Sequence, residues 1–146
     1  MIAEALLARM LAEHGLDDRI AISSGGVAAY ARDGALASMD ARLVLRDEGI
    51  HISPETVSTD LKRNRHIVAA ADLILAMTAA QLAMLEREFP ESHGTPMFTL
   101  REFAGSSGDI EDPATKDETF FAACLAEIKH ALSAAMPRIA DLAQRR

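Results

Sequence analysis

DLILAMT, residues 72–78, is the stretch that decides the predicted fold. The run LIL at 73–75 is short, apolar and without alternation, which is typical of a strand buried on both faces. Thr78 and Gln81 then have the spacing of a helix capping box, and Pro90 ends the helical pattern that follows. A buried strand that turns directly into a capped helix is half of a β-α-β unit, so the sequence predicts an α/β protein with a parallel sheet.

On both sides of this stretch, helical patterns alternate with short apolar runs. A helix is predicted from the first residue to a stop at Gly15, although no capping side chain precedes its apolar face. Further strands are predicted at 20–24 (IAISS) and at 97–100 (MFTL), and one helical turn follows the second of these. The sites of parallel sheets lie beyond the carboxyl ends of the strands, which here means near Thr78.

The other helices are predicted from apolar spacing. A helix over about 35–48 should turn Leu36, Met39 and Leu43 inward, and a weaker helix should follow over 61–70. Pro137 should kink the closing helix or start a second one. The closing helix begins at a capping box of Thr115 and Glu118, and its buried face is predicted to hold Phe120, Phe121, Cys124, Leu125, Ile128 and Leu132.

Length and composition restrict the class of protein. With 146 residues the chain is predicted to be one domain, 1–146. The net charge of −7 argues against a nucleic-acid partner, because phosphate contacts need a basic surface. There is no apolar run of membrane-spanning length and no signal-peptide pattern, and one cysteine makes no internal disulfide. These features predict a soluble cytoplasmic protein.

The most polar loop is GDIEDP at 108–113. Asp109, Glu111 and Asp112 stand close together there, and a carboxylic acid in such a loop could donate a proton to a leaving oxygen. A plain turn is the favoured interpretation on composition, since Gly, Ser, Asp and Pro are common turn formers. A third alternative is a divalent cation bound by the three carboxylates, although the spacing is not that of a calcium loop.

The remaining reactive side chains favour structural roles. Cys124 lies on the apolar face of the closing helix, without the cation or base that would lower a thiol pKa, and is predicted to be a core residue. Ser23 and Ser24 lie at the end of the strand predicted at 20–24 and could be near the site, but no histidine base stands beside them. The basic cluster at 62–66 (KRNRH) is predicted to be a solvated helix face, with a docking site for an acidic partner as the alternative. The five histidines lack metal-ligand spacing, so no metal or cofactor is predicted.

Taken in order, several segments resemble the low-molecular-weight protein tyrosine phosphatases, and in particular the bacterial branch that includes arginine phosphatases. The resemblance implies an α/β three-layer sandwich with a short parallel sheet. It covers nearly the whole chain, and the segments that carry it are 1–7 (MIAEALL), 22–26 (ISSGG), 71–78 (ADLILAMT), 98–103 (FTLREF) and 108–113 (GDIEDP).

The resemblance also implies a mechanism. In that family the cysteine of a Cys-x5-Arg loop attacks phosphorus and forms a cysteinyl phosphate, while backbone amides and the arginine hold the phosphate oxygens. An aspartate of the Asp-Pro loop protonates the leaving group, and Asp112 stands at its position. Ser24 stands where the family has a serine that supports the phosphate loop. The implied substrate is a phosphorylated protein or a small phosphomonoester.

This sequence departs from the family pattern in several places. The family's first strand and its Cys-x5-Arg loop would lie before Met1, so the first strand and the nucleophile are expected to be missing from this chain. Ala114 and Thr115 replace the aromatic residue and the glycine that usually follow Asp-Pro. Glu55 stands where the family commonly has a histidine.

Three hypotheses follow from these departures. In the first, the chain is a truncated phosphatase, most simply one whose start was assigned to an internal methionine, and it is inactive as written. In the second, it is a pseudophosphatase that acts as a binding or regulatory module on the same fold. The third and weakest is a different enzyme that uses the carboxylates of 109–112, with or without a metal. A sheet that lacks its first strand also predicts exposed strand edges and self-association.

Overall fold

The computed structural model describes residues 1–29, 31–111 and 118–144. The elements in chain order are α1 (Ile2–Glu13), α2 (Met39–Asp47), α3 (Arg65–Ala69), β1 (Ile74–Ala76), α4 (Ala79–Glu88), a 3₁₀ turn (Pro90–Ser92), β2 (Met97–Thr99), α5 (Leu100–Phe103) and α6 (Glu118–Gln144). The two strands form a short parallel sheet, so the predicted α/β class is confirmed.

The strand-to-helix unit forms as the sequence predicts. In β1, Ile74 is paired with Met97 of β2, and the Thr78 side chain accepts a hydrogen bond from the backbone N–H of Gln81 at the start of α4. The Gln81 side chain accepts a hydrogen bond from the N–H of Met77. In a full capping box it would accept from the N–H of the N-cap residue, Thr78. The helix ends at Glu88, just before Phe89 and Pro90.

Two apolar clusters lie on opposite faces of β1, because side chains alternate along a strand. Leu73, Leu75 and Met77 pack against the larger cluster, which α1, α2 and α6 build around Leu6 and Leu132. The smaller cluster holds Ile74 and Ala76 together with Val68, Leu85 and Phe89. Helices therefore cover both faces of the sheet, which gives the three layers.

The ends of α1 agree with the sequence. Met1 precedes the helix and its side chain caps no backbone N–H. At the other end Gly15 has a φ of +68°, and the N–H of Leu16 donates to Leu11 O while the N–H of Gly15 donates to Ala12 O. This is the Schellman arrangement that a C-terminal glycine favours.

The prediction of a strand at 20–24 is wrong. Ile20 and Ile22 do pack against the larger cluster, but within the described residues this segment has no strand beside it. A strand needs a neighbour to exchange backbone hydrogen bonds, so the segment does not belong to the sheet. Its continuation makes one isolated bridge, between Gly26 and Asp60.

The helix predicted over 35–48 is shorter. Ser38 accepts a hydrogen bond from the N–H of Ala41 and so starts α2 at Met39. The buried positions are then Ala41, Val44 and Leu45, while Leu36 and Met39 are each 67% exposed, so their predicted burial is wrong. The helix predicted over 61–70 is reduced to the five residues of α3.

The closing helix buries the predicted face with one exception. Phe121, Cys124, Leu125, Ile128 and Leu132 are buried, whereas Phe120 is 54% exposed because it lies one position off this stripe. α6 runs unbroken through Pro137, so no second helix starts there. The predicted capping residue Thr115 lies outside the described residues. No helix in the described ranges has the length and apolarity that crossing a bilayer requires.

One ion cluster joins three helices on the outside of the larger apolar cluster. The Glu48 carboxylate, just past α2, accepts hydrogen bonds from Lys129 Nζ of α6 at 2.9 Å and from Arg9 Nη2 of α1 at 3.2 Å. Arg9 also donates to the backbone carbonyl of Glu48. These contacts hold the pKa of Glu48 below its ordinary value of 4.5.

We predict that Glu48→Gln lowers the free energy of unfolding by about 1 kcal/mol at pH 7, because the paired charge is lost. A lowered carboxyl pKa stabilises the fold above the unfolded value and loses that effect as the pH falls through the folded value. Urea unfolding of the two proteins should therefore converge below about pH 4. Glu13→Gln is the control, since Glu13 is 62% exposed and 3.6 Å from Arg9. An equal loss in both variants, or a loss independent of pH, would contradict the prediction.

Candidate functional site

The 105–111 loop is fixed to the carboxyl end of β1. The N–H of Ile110 donates to Met77 O at 2.9 Å, and the Ile110 side chain is 1% exposed. Asp109 Oδ1 accepts from the N–H of Ala79 at 2.9 Å, in the first turn of α4. This is the position that a carboxylate favours, because the N-terminal N–H groups of a helix carry partial positive charge. The loop therefore lies at the sheet edge where the sequence predicts the site.

Asp112, the predicted general acid, lies outside the described residues. The loop can be followed to Glu111, which is exposed and whose carbonyl oxygen is 3.7 Å from Cys124 Sγ. Two of the loop's three acidic residues are therefore described, and one oxygen of Asp109 is occupied by a backbone N–H. Within the described residues, no three His, Cys, Asp or Glu side chains are grouped as they would be around a metal ion.

Ser24 contacts the start of α1. Its Oγ donates to Glu4 Oε2 at 3.1 Å, which joins the end of segment 20–24 to the first turn of that helix. Ser23 is exposed, and no hydrogen bond of its side chain is found in the described part of the chain. Only one of the two serines is therefore positioned by its neighbours.

Cys124 is a core residue, as predicted. It is 8% exposed and belongs to the larger apolar cluster. It is the only cysteine of the 146 residues, and His130 stands six positions after it, so this sequence contains no Cys-x5-Arg. A buried thiol on the apolar face of a helix has neither the exposure nor the cationic surroundings of a nucleophile.

A polar network that the sequence did not reveal joins the loop after Ser24 to residues 57–64. Ser58 is its centre: its N–H donates to Ala35 O at 2.7 Å, and its Oγ donates to Arg32 O at 2.7 Å while accepting from the N–H of Ala35. Asp33 Oδ1 accepts from the N–H of Asp60 at 2.6 Å. These pairs are more than twenty residues apart in sequence, so no local pattern indicates them.

The basic cluster at 62–66 is only partly the solvated face that was predicted. Lys62 Nζ is 2.9 Å from Asp60 Oδ1 and 2.7 Å from Ala28 O. The hydrogen bond from Lys62 holds the pKa of Asp60 below its ordinary value. Arg65 is ion-paired with Glu91 at 2.6 Å, and its guanidinium lies 4.4 Å from the ring centre of Phe89. Arg63 and His66 are exposed, as expected.

The whole described architecture has counterparts among known proteins. The family model for low molecular weight phosphotyrosine protein phosphatases matches residues 1–145. A curated protein-arginine-phosphatase of Geobacillus stearothermophilus is 38% identical over 95 residues, which are 64% of this chain and 60% of that protein. The aligned part is thus less than two thirds of this relative's length.

Solved structures extend the comparison. The YwlE arginine phosphatase of Geobacillus stearothermophilus superposes with a TM-score of 0.81 at 28% identity, covering 99% of this chain and 87% of that one. A low molecular weight protein tyrosine phosphatase of T. tengcongensis gives 0.81 at 28% identity, covering 94% and 88%. A solution structure of a Bacillus subtilis member gives 0.82 at 27% identity, covering 99% and 90%. With a family model matched from residue 1 to residue 145, the chain belongs to the low molecular weight phosphotyrosine protein phosphatase family.

Proposed function

We propose that this chain is the scaffold of a protein phosphatase that hydrolyses phosphate from a protein side chain through a cysteinyl phosphate. The observation that carries the proposal is the attachment of the 105–111 loop to the end of β1 and the start of α4, through Ile110 and Asp109. This attachment holds residues 105–111, which lead directly to Asp112, at the edge of the sheet where a parallel α/β protein binds its ligands. Asp112 is the proposed general acid.

The proposed nucleophile is the thiolate of a Cys-x5-Arg loop, a motif that these 146 residues do not contain. The thiolate attacks phosphorus, the sulfur–phosphorus bond forms and the bond to the leaving group breaks, while Asp112 gives its proton to the leaving atom. Water then attacks phosphorus, the Asp112 carboxylate takes a proton from it, and the sulfur–phosphorus bond breaks to release phosphate. The 146 residues alone are therefore proposed to be inactive.

The start of α1 is a second feature that supports an anion site. α1 has twelve residues, and the side chain of Met1 caps none of its N–H groups. Unpaired N–H groups and the helix dipole at such an end stabilise a bound phosphate. Ser24, which donates to Glu4 in the first turn, is proposed to hold this end of the helix against the loop that binds the phosphate.

Phosphoarginine is the first substrate class that we propose. The curated relative with 38% identity is a protein-arginine-phosphatase, and the YwlE structure with 28% identity is also named as an arginine phosphatase. Phosphotyrosine is the alternative, since structures named as tyrosine phosphatases match equally well. Location in the cytoplasm remains a prediction, and these comparisons are consistent with it.

A catalytically inactive binding module is the second candidate function. The observation that favours it is that the only thiol is the buried Cys124, so these 146 residues contain no Cys-x5-Arg. A module of this kind would retain the sheet edge and the docked loop, and would bind a phosphorylated side chain without cleaving it. The two candidates differ in whether a longer form of the chain turns over substrate.

We predict that the 146-residue chain hydrolyses neither p-nitrophenyl phosphate nor peptides carrying phosphoarginine or phosphotyrosine above the blank. The chain extended upstream in frame should hydrolyse all three, with the higher kcat/KM for phosphoarginine. In the extended chain Asp112→Asn should lower kcat by about 10²–10⁴-fold, because the leaving group loses its proton donor.

Two outcomes would contradict the proposal. Turnover by the 146-residue chain that Asp112→Asn abolishes would mean that another group attacks phosphorus. An extended chain that binds phosphopeptide without cleaving it would replace the phosphatase by the binding module. A higher kcat/KM for phosphotyrosine would retain the reaction and change only the substrate class.

The proposed role of Ser24 predicts that Ser24→Ala lowers kcat of the extended chain by about tenfold, the equivalent of one hydrogen bond to a charged group. The loss should appear in kcat with p-nitrophenyl phosphate, because the loop that holds the transferring phosphate becomes less ordered. Ser23→Ala is the matched control, and its kcat should not change. Equal effects of the two substitutions on kcat would contradict the proposed positioning role of Ser24.

A further inference from the structure

An open cleft of about 470 Å³ lies between the loop after Ser24 and the segment 57–64. Its charged lining residues are Arg32, Asp33, Asp60, Lys62 and Arg63. The cleft is distinct from the contacts of Ser24 and Asp109 described above, although the loop that forms one wall begins directly after Ser24 and Gly25. The family comparisons say nothing about it.

Three of the five charged side chains are engaged inside the protein. Asp33 Oδ1 accepts from the N–H of Asp60 and, at 2.9 Å, from Asn64 Nδ2. Asp60 Oδ1 accepts from the N–H of Lys62 at 3.0 Å and from its Nζ at 2.9 Å. Lys62 Nζ also donates to two backbone carbonyls of the opposite wall, at 2.7 and 3.3 Å. Both carboxylates therefore serve the internal network: the Asp60 charge is paired with Lys62, whereas Asp33 accepts from two neutral donors.

The two arginines differ from these residues. Arg32 and Arg63 are exposed, and no hydrogen bond or ion pair of either guanidinium is found in the described residues. Their backbones are fixed, however, since Arg32 O accepts from Ser58 Oγ at 2.7 Å and the N–H of Arg63 donates to Asp60 O at 3.1 Å. Two exposed guanidinium groups without a hydrogen-bond partner in the described residues thus line the cleft, in a protein whose net charge is −7, and the charge of Arg63 contributes to the lowered pKa of Asp60.

We propose that this cleft binds carboxylate side chains of an acidic protein segment, with Arg32 and Arg63 as the contacting residues. Guanidinium groups bind carboxylates through paired, charge-assisted hydrogen bonds. A duplex nucleic acid does not fit the negative net charge, whereas one or two acidic side chains fit an open cleft of this size. This inference rests on the proposed function, in which the acidic segment would flank the phosphorylated residue of a protein substrate.

The docking is tested by direct binding to the 146-residue chain, without phosphate and without catalysis. The probe is a fluorescent peptide with a run of Glu and Asp, compared with the same peptide carrying Gln and Asn at those positions. Fluorescence anisotropy should show binding of the acidic peptide that weakens as salt is raised. Arg32→Gln and Arg63→Gln should each weaken it by about two- to fivefold, and the double variant by about tenfold.

Arg87→Gln is the matched control, because Arg87 is exposed on α4, outside the cleft, and makes no side-chain contact in the described residues. The variant removes the same charge and should bind as the unchanged chain does. The proposal is overturned if the acidic peptide does not bind, if the amide peptide binds equally well, or if Arg87→Gln weakens binding as much as the cleft variants. Failure of the proposed phosphatase function would instead appear as absence of hydrolysis, which this binding assay does not measure.

Discussion

The burial of β1 between two apolar clusters is the constraint on which the rest of the structure depends. Leu75 faces the cluster that α1, α2 and α6 build, and Ile74 faces the one around Phe89. A strand that is packed on both faces has a fixed carboxyl end. The polar groups that directly follow the strand are therefore fixed in position as well. The Thr78 cap, the start of α4 and the Ile110 contact all depend on it. The site is thus defined by the packing of apolar side chains that take no part in its chemistry.

Local patterns predicted the elements whose causes are local. The apolar run at 73–75, the Thr78 cap and the Gly15 stop each act within a few residues, and the structure contains all three. The strand predicted at 20–24 failed because a strand depends on a neighbour that no local pattern reports. The burial of Leu36 failed because the Ser38 cap starts the helix at Met39, which leaves Leu36 outside the helix in an isolated bridge with Val57.

The candidate site was predictable only in part. The polar composition of 108–113 and the place of Ser24 in a predicted strand marked both as candidates, and the resemblance to a family gave Asp112 and Ser24 their implied roles. The structure contains one contact of each segment, from Ala79 to Asp109 and from Ser24 to Glu4. The cleft at Arg32 and Arg63 was missed because its walls are joined by polar contacts between distant residues. Composition made the 62–66 cluster appear uniform, whereas the structure divides it into cations that are engaged internally and cations that remain available to a partner.

The most direct test of this account is the hydrogen exchange of two neighbouring amides in β1. Ile74 N–H donates to Pro96 O, so Ala76 N–H also faces β2 while Leu75 N–H faces the other edge of the strand. In the 146-residue chain Leu75 N–H should exchange much faster than Ala76 N–H, because within the described residues no strand pairs with that edge of β1. Equal protection of both amides would contradict the claim that β1 is hydrogen-bonded to a strand on the β2 side alone.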